Sequence, residues 1–227
     1  MKVLFLFLLL MTPQLVLAFQ VEPMVQKFES TGNLAQAGFR IENTSDKPLA
    51  LETLAQRRHV TFGDNEALEV AERDFIIMPP QAFIEPGQFQ FFRVRYLGSE
   101  PINQSISYRI VFKQLPLQYE NKESGLELLF NFATLAFVSP NGAQPLLIAG
   151  IDEDILSIKN IGNGLADFYG STINFVNNNS NKILSWEDVG NYSTTNYLIP
   201  GQEVQIPIQD DWNIQQLEIT SVKVILP

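Results

Sequence analysis

Apolar and polar residues alternate along most of this chain in short runs, and one run departs from the rule. Residues 125–140 read GLELLFNFATLAFVSP. With a period of two, Leu126, Leu128, Phe130, Phe132, Thr134, Ala136 and Val138 share one face, and Glu127, Leu129, Asn131, Ala133, Leu135 and Phe137 share the other. A strand sends alternate side chains to opposite faces, so this one is apolar on one side and nearly so on the other. Either it is buried on both sides, or it keeps an apolar row for a partner. Leu126, Leu129, Phe130, Ala133 and Phe137 also fit one helical face. Gly125 and Pro140 at its ends, its aromatics and its β-like surroundings favour the strand.

The neighbouring runs are shorter. Residues 19–28 read as an irregular first strand that Pro23, with no N–H to donate, confines to an edge. Residues 39–42 alternate and stop at the Asn43–Pro48 turn chemistry. Alternation or short apolar runs return at 49–60, 75–78 (ended by Pro79-Pro80), 89–96 and 108–115. Phe83-Ile84 leads into the turn Glu85-Pro86-Gly87, where proline presets one φ and glycine is free for a positive one. After Pro140-Asn141-Gly142 the pattern begins again, with strands expected at 155–160, 168–176, 203–208 and 217–226. Ile199-Pro200-Gly201-Gln202 repeats Glu85-Pro86-Gly87-Gln88, and in each half a strand ending at an asparagine precedes that turn by about forty residues. Many short strands with regular turns predict an all-β protein of two immunoglobulin-like β-sandwich domains, 19–140 and 141–227.

Residues 1–18 have a different character. Lys2, a run of leucine and phenylalanine, and Val16-Leu17-Ala18 have the form of a secretory signal peptide cut after Ala18. The apolar run is shorter than the roughly 20 residues a spanning helix needs. The mature chain is therefore expected to begin at Phe19, outside the cytoplasm, with no stable membrane insertion.

Charge and composition narrow the chemistry. The 227 residues include 15 basic and 25 acidic side chains, for a net charge of −10, and no cysteine. That balance argues against non-specific nucleic-acid binding. The lack of cysteine removes disulfides and thiolate metal sites. His59 is the sole histidine, and beside Arg57 and Arg58 it reads as a surface residue. No nucleophile elbow, phosphate loop or dinucleotide fingerprint appears. Asp152-Glu153-Asp154 lacks the alternating ligands and glycine of a calcium loop and reads as a solvated turn, as does Asp210-Asp211. The sequence thus predicts no catalytic residue, metal or cofactor. Asn43, Asn103, Asn178 and Asn191 fit the glycosylation pattern. In Phe91-Phe92-Arg93-Val94-Arg95-Tyr96, two arginines share a strand face among aromatics. They read either as an ordinary exposed basic pair or as a carboxylate anchor, since arginine binds carboxylates bidentately.

Met78-Pro79-Pro80-Gln81-Ala82-Phe83-Ile84-Glu85-Pro86-Gly87-Gln88, followed by Phe92-Arg93-Val94, resembles the periplasmic chaperones of chaperone–usher pilus assembly, in a divergent, archaic-like branch. The signal peptide, the Asn43–Pro48 turn, the apolar strand before Pro140 and the second sandwich agree with that likeness. The resemblance implies two sandwiches set at an angle with a cleft between them. It implies a location in the periplasm, pilin subunits and an outer-membrane usher as partners, and no enzymatic activity. It also implies that Leu126, Leu128, Phe130 and Phe132 fill the groove of a subunit lacking a strand; self-association of the free protein, which would hide that row, is left open by the sequence. Family members hold the subunit's terminal carboxylate with a first-strand arginine and a lysine on the lending strand. Here Leu135 stands at the lysine position and Met24 or Val25 near the arginine position. The family's Asp-Arg-Glu-Ser-Leu-type signature is replaced by Asn103-Gln-Ser-Ile. Arg93, Arg95 and Lys27 are therefore the candidate anchors. The short 116–125 connection resembles that of short-loop members. Two other readings stay open: a secreted pilus subunit or adhesion module, and a carbohydrate-active enzyme using paired carboxylates.

Overall fold

A computed structural model describes residues 19–60, 66–98, 101–117, 128–177, 181–214 and 218–227. Residues 1–18, where a signal peptide is expected, Leu126, Asn178 and most of the 116–125 connection lie outside these residues.

The first half contains β1 (Gln20–Glu22), β2 (Val25–Glu29), β3 (Gln36–Glu42), β4 (Leu49–Val60), β5 (Glu66–Val70), β6 (Phe75–Met78), β7 (Gln81–Ile84), β8 (Phe89–Tyr96), β9 (Ile106–Leu115) and β10 (Asn131–Ser139). They form a four-stranded sheet in the order β1-β3-β8-β6 and a larger one in the order β2-β10-β9-β4-β5, with β7 also on β4. Alternation explains why the sheets face each other. Phe39 and Ile41 of β3 and Phe92, Val94 and Tyr96 of β8 meet Leu51 and Ala55 of β4 and Tyr108, Ile110 and Phe112 of β9 in one buried cluster. Phe112 lies 5.3 Å from Phe92 and 5.6 Å from Phe39, ring centre to ring centre. The buried Tyr108 hydroxyl donates to Asp74 at 2.7 Å. Burial first, and then this hydrogen bond to a carboxylate, pushes the Tyr108 hydroxyl far above the ordinary phenol range.

The expected single strand at 19–28 is two strands in different sheets. β1 pairs antiparallel with β3, whereas β2 pairs parallel with β10. Pro23, which has no N–H to give to either ladder, sits at the crossover.

The second half contains β11 (Leu147–Asp152), β12 (Ile155–Asn160), β13 (Ala166–Asp167), β14 (Thr172–Asn177), β15 (Asn181–Ser185), the short helix α1 (Trp186–Val189), β16 (Tyr197–Leu198), β17 (Glu203–Pro207) and β18 (Ile219–Ile225). The sheets run β11-β12-β17, β13-β16 and β15-β14-β18. They enclose a second cluster that includes Leu156, Ile158, Phe168, Phe175, Trp186 and Trp212. Trp186 stacks on Phe168 with centroids 4.3 Å apart. The architecture is all-β, two immunoglobulin-like sandwiches with separate cores.

The sequence echo has a structural cause. Asn43 is fully buried. Its amide donates to Lys47 O and Ile84 O at 2.7 and 2.9 Å, and its side-chain oxygen accepts from Ser45 N at 3.1 Å. Its backbone N–H donates to Gln88 O, and its carbonyl accepts from Gly87 N, both at 2.9 Å. Asn160 repeats the arrangement. Its amide donates to Gly164 O and Leu198 O at 2.8 and 2.9 Å, and its oxygen accepts from Gly162 N at 3.0 Å. Its backbone bonds Gln202 O and Gly201 N at 3.0 and 2.8 Å. In each half an asparagine ties a strand end to the Pro-Gly-Gln turn, with Gly87 at φ 70° and Gly201 at φ 82°. Asn43, so enclosed, is not a glycan acceptor in the folded chain.

The halves touch directly. Lys27 forms an ion pair with Asp167, Phe137 lies 5.1 Å from Tyr197 between ring centres, and Ser105 N donates to Asn163 O at 2.9 Å.

Candidate functional site

The apolar run resolves into two parts. Leu128, Leu129 and Phe130 are 66, 43 and 42% exposed and precede the strand, which begins at Asn131 rather than Gly125. Phe130 still extends the ladder: its N–H donates to the Gln114 side-chain oxygen, and its carbonyl accepts from Gln114 N, both at 3.1 Å. Phe132 is different. It is half-buried against the first core, its ring 4.6 Å from Phe19 in an edge contact. Thr134, Ala136 and Val138 continue that buried face. The row expected to be offered to a partner thus enters the chain's own core at Phe132, because the core ends beneath that position.

β10 is covered unevenly. β9 pairs it along its length, from Asn131 opposite Lys113 to Val138 opposite Ile106. On its other side β2 pairs only from Leu135 to Ser139. Among the described residues no strand pairs with that side of 131–134, because the chain switches sheets at Pro23. The result is a short open strand edge with exposed leucine and phenylalanine side chains leading into it.

Beside the covered part of β10 lie basic side chains, each paired with a carboxylate. Leu135 stands opposite Val25 and donates its N–H to Met24 O at 2.8 Å. The two positions where the resemblance implies an arginine and a lysine are therefore neighbours here, and both are apolar. Lys27 pairs across from Phe137, one step along the same outward face, with its ammonium on Asp167. Arg109 was not singled out from the sequence. It sits directly opposite Leu135 on β9 and approaches Ala133 O at 3.5 Å. Its guanidinium donates to Glu66 at 2.8 and 3.3 Å, and Arg58 forms an ion pair with the same carboxylate. Burial pushes the Glu66 carboxyl up, but hydrogen bonds and charge from Arg109 and Arg58 outweigh it and hold it below the ordinary glutamate value. Arg58 and Val60 also line a cleft of about 710 Å³, which Lys159, Thr195, Pro200 and Gln202 close from the second half. At the same contact, burial and then the charge of Asp167 push the Tyr197 hydroxyl up to about 12.

Arg93 and Arg95 are not brought to this place. Phe92, Val94 and Tyr96 fill the core from β8, so the alternating Arg93 and Arg95 face outward on the other sheet. Local clustering with aromatics gave no information about which sheet would carry them. His59 is on the surface, its Nε2 3.1 Å from Glu69. Asp152 and Ile155 pair across the tight β11–β12 turn that holds Glu153 and Asp154. Among the described residues no three histidine, cysteine or carboxylate side chains cluster as a metal site, and no helix is long and apolar enough to cross a membrane.

Residues 25–144 match the family model described as pili and flagellar-assembly chaperone, PapD N-terminal domain. No curated protein matches the chain by sequence. Among solved structures, the class 5 fimbriae chaperone CfaA is similar at 14% identity, with 92% of this chain and 98% of that one covered and a TM-score of 0.58. A structure of the Salmonella enterica SafA pilin in complex with the SafB chaperone is similar at 13% identity, covering 85% of each chain, with a TM-score of 0.57. The CsuC–CsuE chaperone–tip adhesion subunit complex from the archaic chaperone–usher Csu pili of Acinetobacter baumannii is similar at 15% identity, covering 85% of this chain and 91% of that one, with a TM-score of 0.53. The match spans the first sandwich from β2 to β10, more than half of the chain, and this chain belongs to the pilus-assembly chaperone family.

Proposed function

We propose that the chain is a periplasmic chaperone that lends the segment around β10 to pilin subunits and passes them to an outer-membrane usher, without catalysis or cofactor. The observation that carries this reading is the open edge of β10 at 131–134 with exposed Leu128 and Phe130 leading into it. Strand addition uses such an edge: backbone ladder bonds give generic affinity, and alternate side chains filling pockets give specificity. Chaperone–pilin complementation is an established instance. Leu126, Leu128 and Phe130 are the inserted row, and Phe132 is its boundary with the chaperone's own core. Burying one such side chain is worth about 1.5–3 kcal/mol. The chaperone complexes among the similar structures support the same reading.

A lent strand that slips by two residues still presents apolar side chains, so a charge at one end is needed to fix register. The subunit's terminal carboxylate is the anion the resemblance implies. Lys27 and Arg109 flank β10 on the cleft side and are the anchors we favour. Arg93 and Arg95, on the far sheet, are displaced from that role.

The test is isolation of the tagged chaperone from its native periplasm. A one-to-one complex with a smaller protein is expected, and Phe130→Asp abolishes it while the free protein melts as before. Recovery of the complex with Phe130→Asp would overturn the assignment. Polymerisation of the chain with itself would favour a pilus subunit instead.

A further inference from the structure

The outer face of the β1-β3-β8-β6 sheet carries exposed apolar and unpaired basic side chains together. Phe89, Phe91, Ile76 and Met78 are exposed by 51, 58, 48 and 58%. Cross-strand register sets Arg93 between Gly38 and Met78, Arg95 between Gln36 and Ile76, and Phe91 beside Arg40. Phe89 and Phe91 meet edge to face at 5.4 Å, and the Arg40 guanidinium lies 4.5 Å over the Phe89 ring. A Cβ built on Gly38 would meet nothing within 4 Å, so the sheet has a dip beside Arg93. Arg40 is matched by Glu42 at 2.5 Å, and Glu22 follows it in register on β1. Arg93 and Arg95 have no ion pair or hydrogen bond among the described residues.

Two arginines without an ion pair among the described residues stand out on a chain of net charge −10. Guanidinium groups bind carboxylates bidentately, and an apolar patch beside them marks a contact surface. Nucleic acid and anionic lipid fit less well, because both draw their affinity from many cations and the whole chain repels them. The spacing is also specific. Arg93 and Arg95 are two residues apart on a strand, roughly 6.8 Å, and alternate side chains of any extended peptide have the same repeat.

We propose that this face docks an extended acidic polypeptide segment of a partner protein, with two carboxylates in alternate positions on Arg93 and Arg95 and an aromatic or aliphatic side chain against Phe91 and Met78. The surface is separate from the β10 edge and does not depend on strand lending.

The test uses the full mature chain and a fluorescent random copolymer of glutamate and tyrosine. Polyglutamate, a lysine–tyrosine copolymer and phosphatidylglycerol vesicles are the comparisons. Binding to the glutamate–tyrosine copolymer is expected to exceed binding to all three. Arg93→Glu with Arg95→Glu weakens it by tenfold or more, and Phe91→Ser weakens it severalfold. Phe130→Asp leaves it unchanged, which separates this site from the lent strand. If the double variant melts lower than the parent, Arg93→Gln and Arg95→Gln are read singly, and each is expected to weaken binding. Equal binding by the arginine variants overturns the proposal. So does equal binding of polyglutamate with no effect of Phe91→Ser, vesicle binding with the same arginine dependence, or self-association through this face in place of copolymer binding.

Discussion

Asn43 and Asn160 show how much a single polar side chain can organise when it is buried and fully bonded. Each gives two amide protons to carbonyls on different segments and accepts a backbone N–H, so each closes a corner that apolar packing alone would leave undefined. Asn43→Ala and Asn160→Ala are each expected to cost about 2–4 kcal/mol, since at least two buried groups lose partners at roughly 1–3 kcal/mol each. Urea unfolding checks this; a midpoint shift too small to resolve would show that water replaces the side chain. Glu66 makes a second prediction at this scale. Its carboxyl is held below the ordinary value of 4.5 by two arginines. Its contribution to stability is therefore complete above about pH 4.5 and is lost as pH falls through the lower folded value. Glu66→Gln is expected to be less stable than the parent at neutral pH and to converge with it as pH falls below that folded value. Parallel stability curves for the two proteins across that range would rule out the linkage.

At the scale of elements, the sequence was most legible where alternation met turn chemistry. β4, β6, β8 and β12 begin and end where the pattern places them, because each has one face in a core and a turn at its end. β5 was not legible: all five of its residues are exposed, so it has no apolar period, and it is held by pairing with β4. β10 was half legible. Its composition announced an unusual strand, but the point where its apolar face stops belonging to the core depends on Phe19, more than a hundred residues away in sequence. Arg109 was missed for a related reason. Its significance is its place opposite Leu135 across a strand pair, and no local pattern around Ser107-Tyr108-Arg109-Ile110 records that register. The division of β10 gives a graded expectation. Phe130→Asp leaves the free protein's melting temperature within error, whereas Phe132→Asp lowers it, by several degrees at least, because it sets a charge against Phe19. Equal melting of both would place Phe132 outside the core. For the anchor, Lys27→Ala and Arg109→Ala are expected to weaken subunit binding about tenfold or more, the loss of a charge-assisted hydrogen bond worth roughly 1.5–3 kcal/mol. Arg93→Ala leaves subunit binding unchanged.

The whole molecule depends on how two separate cores are held together. Phe137 is 1% exposed, yet it is part of neither core cluster. It lies on the outward face of β10, where its neighbour in the other half is Tyr197, and Lys27, beside it in register, pairs with Asp167. The same strand therefore offers an open edge at its start, packs the first core along one face, and joins the second sandwich near its end. That arrangement links the open edge to the contact between the sandwiches through one strand. The Lys27–Asp167 pair is largely exposed on its lysine side and contributes little by itself. The buried ring contact is the stronger tie. Phe137→Ala removes it and is expected to cost about 3 kcal/mol, within the range for deleting a buried phenylalanine ring. Because the ring lies between the sandwiches, that loss falls on their docking rather than on either core. Small-angle scattering should then show a larger radius of gyration, and limited proteolysis should cut faster between Pro140 and Leu146, where the chain passes from one sandwich to the other. Lys27→Ala should change both readouts far less. If Phe137→Ala leaves the scattering curve and the cleavage rate as they were, the halves are held by the Ser105–Asn163 bond and the cleft loops, and β10 does not set the geometry of the cleft.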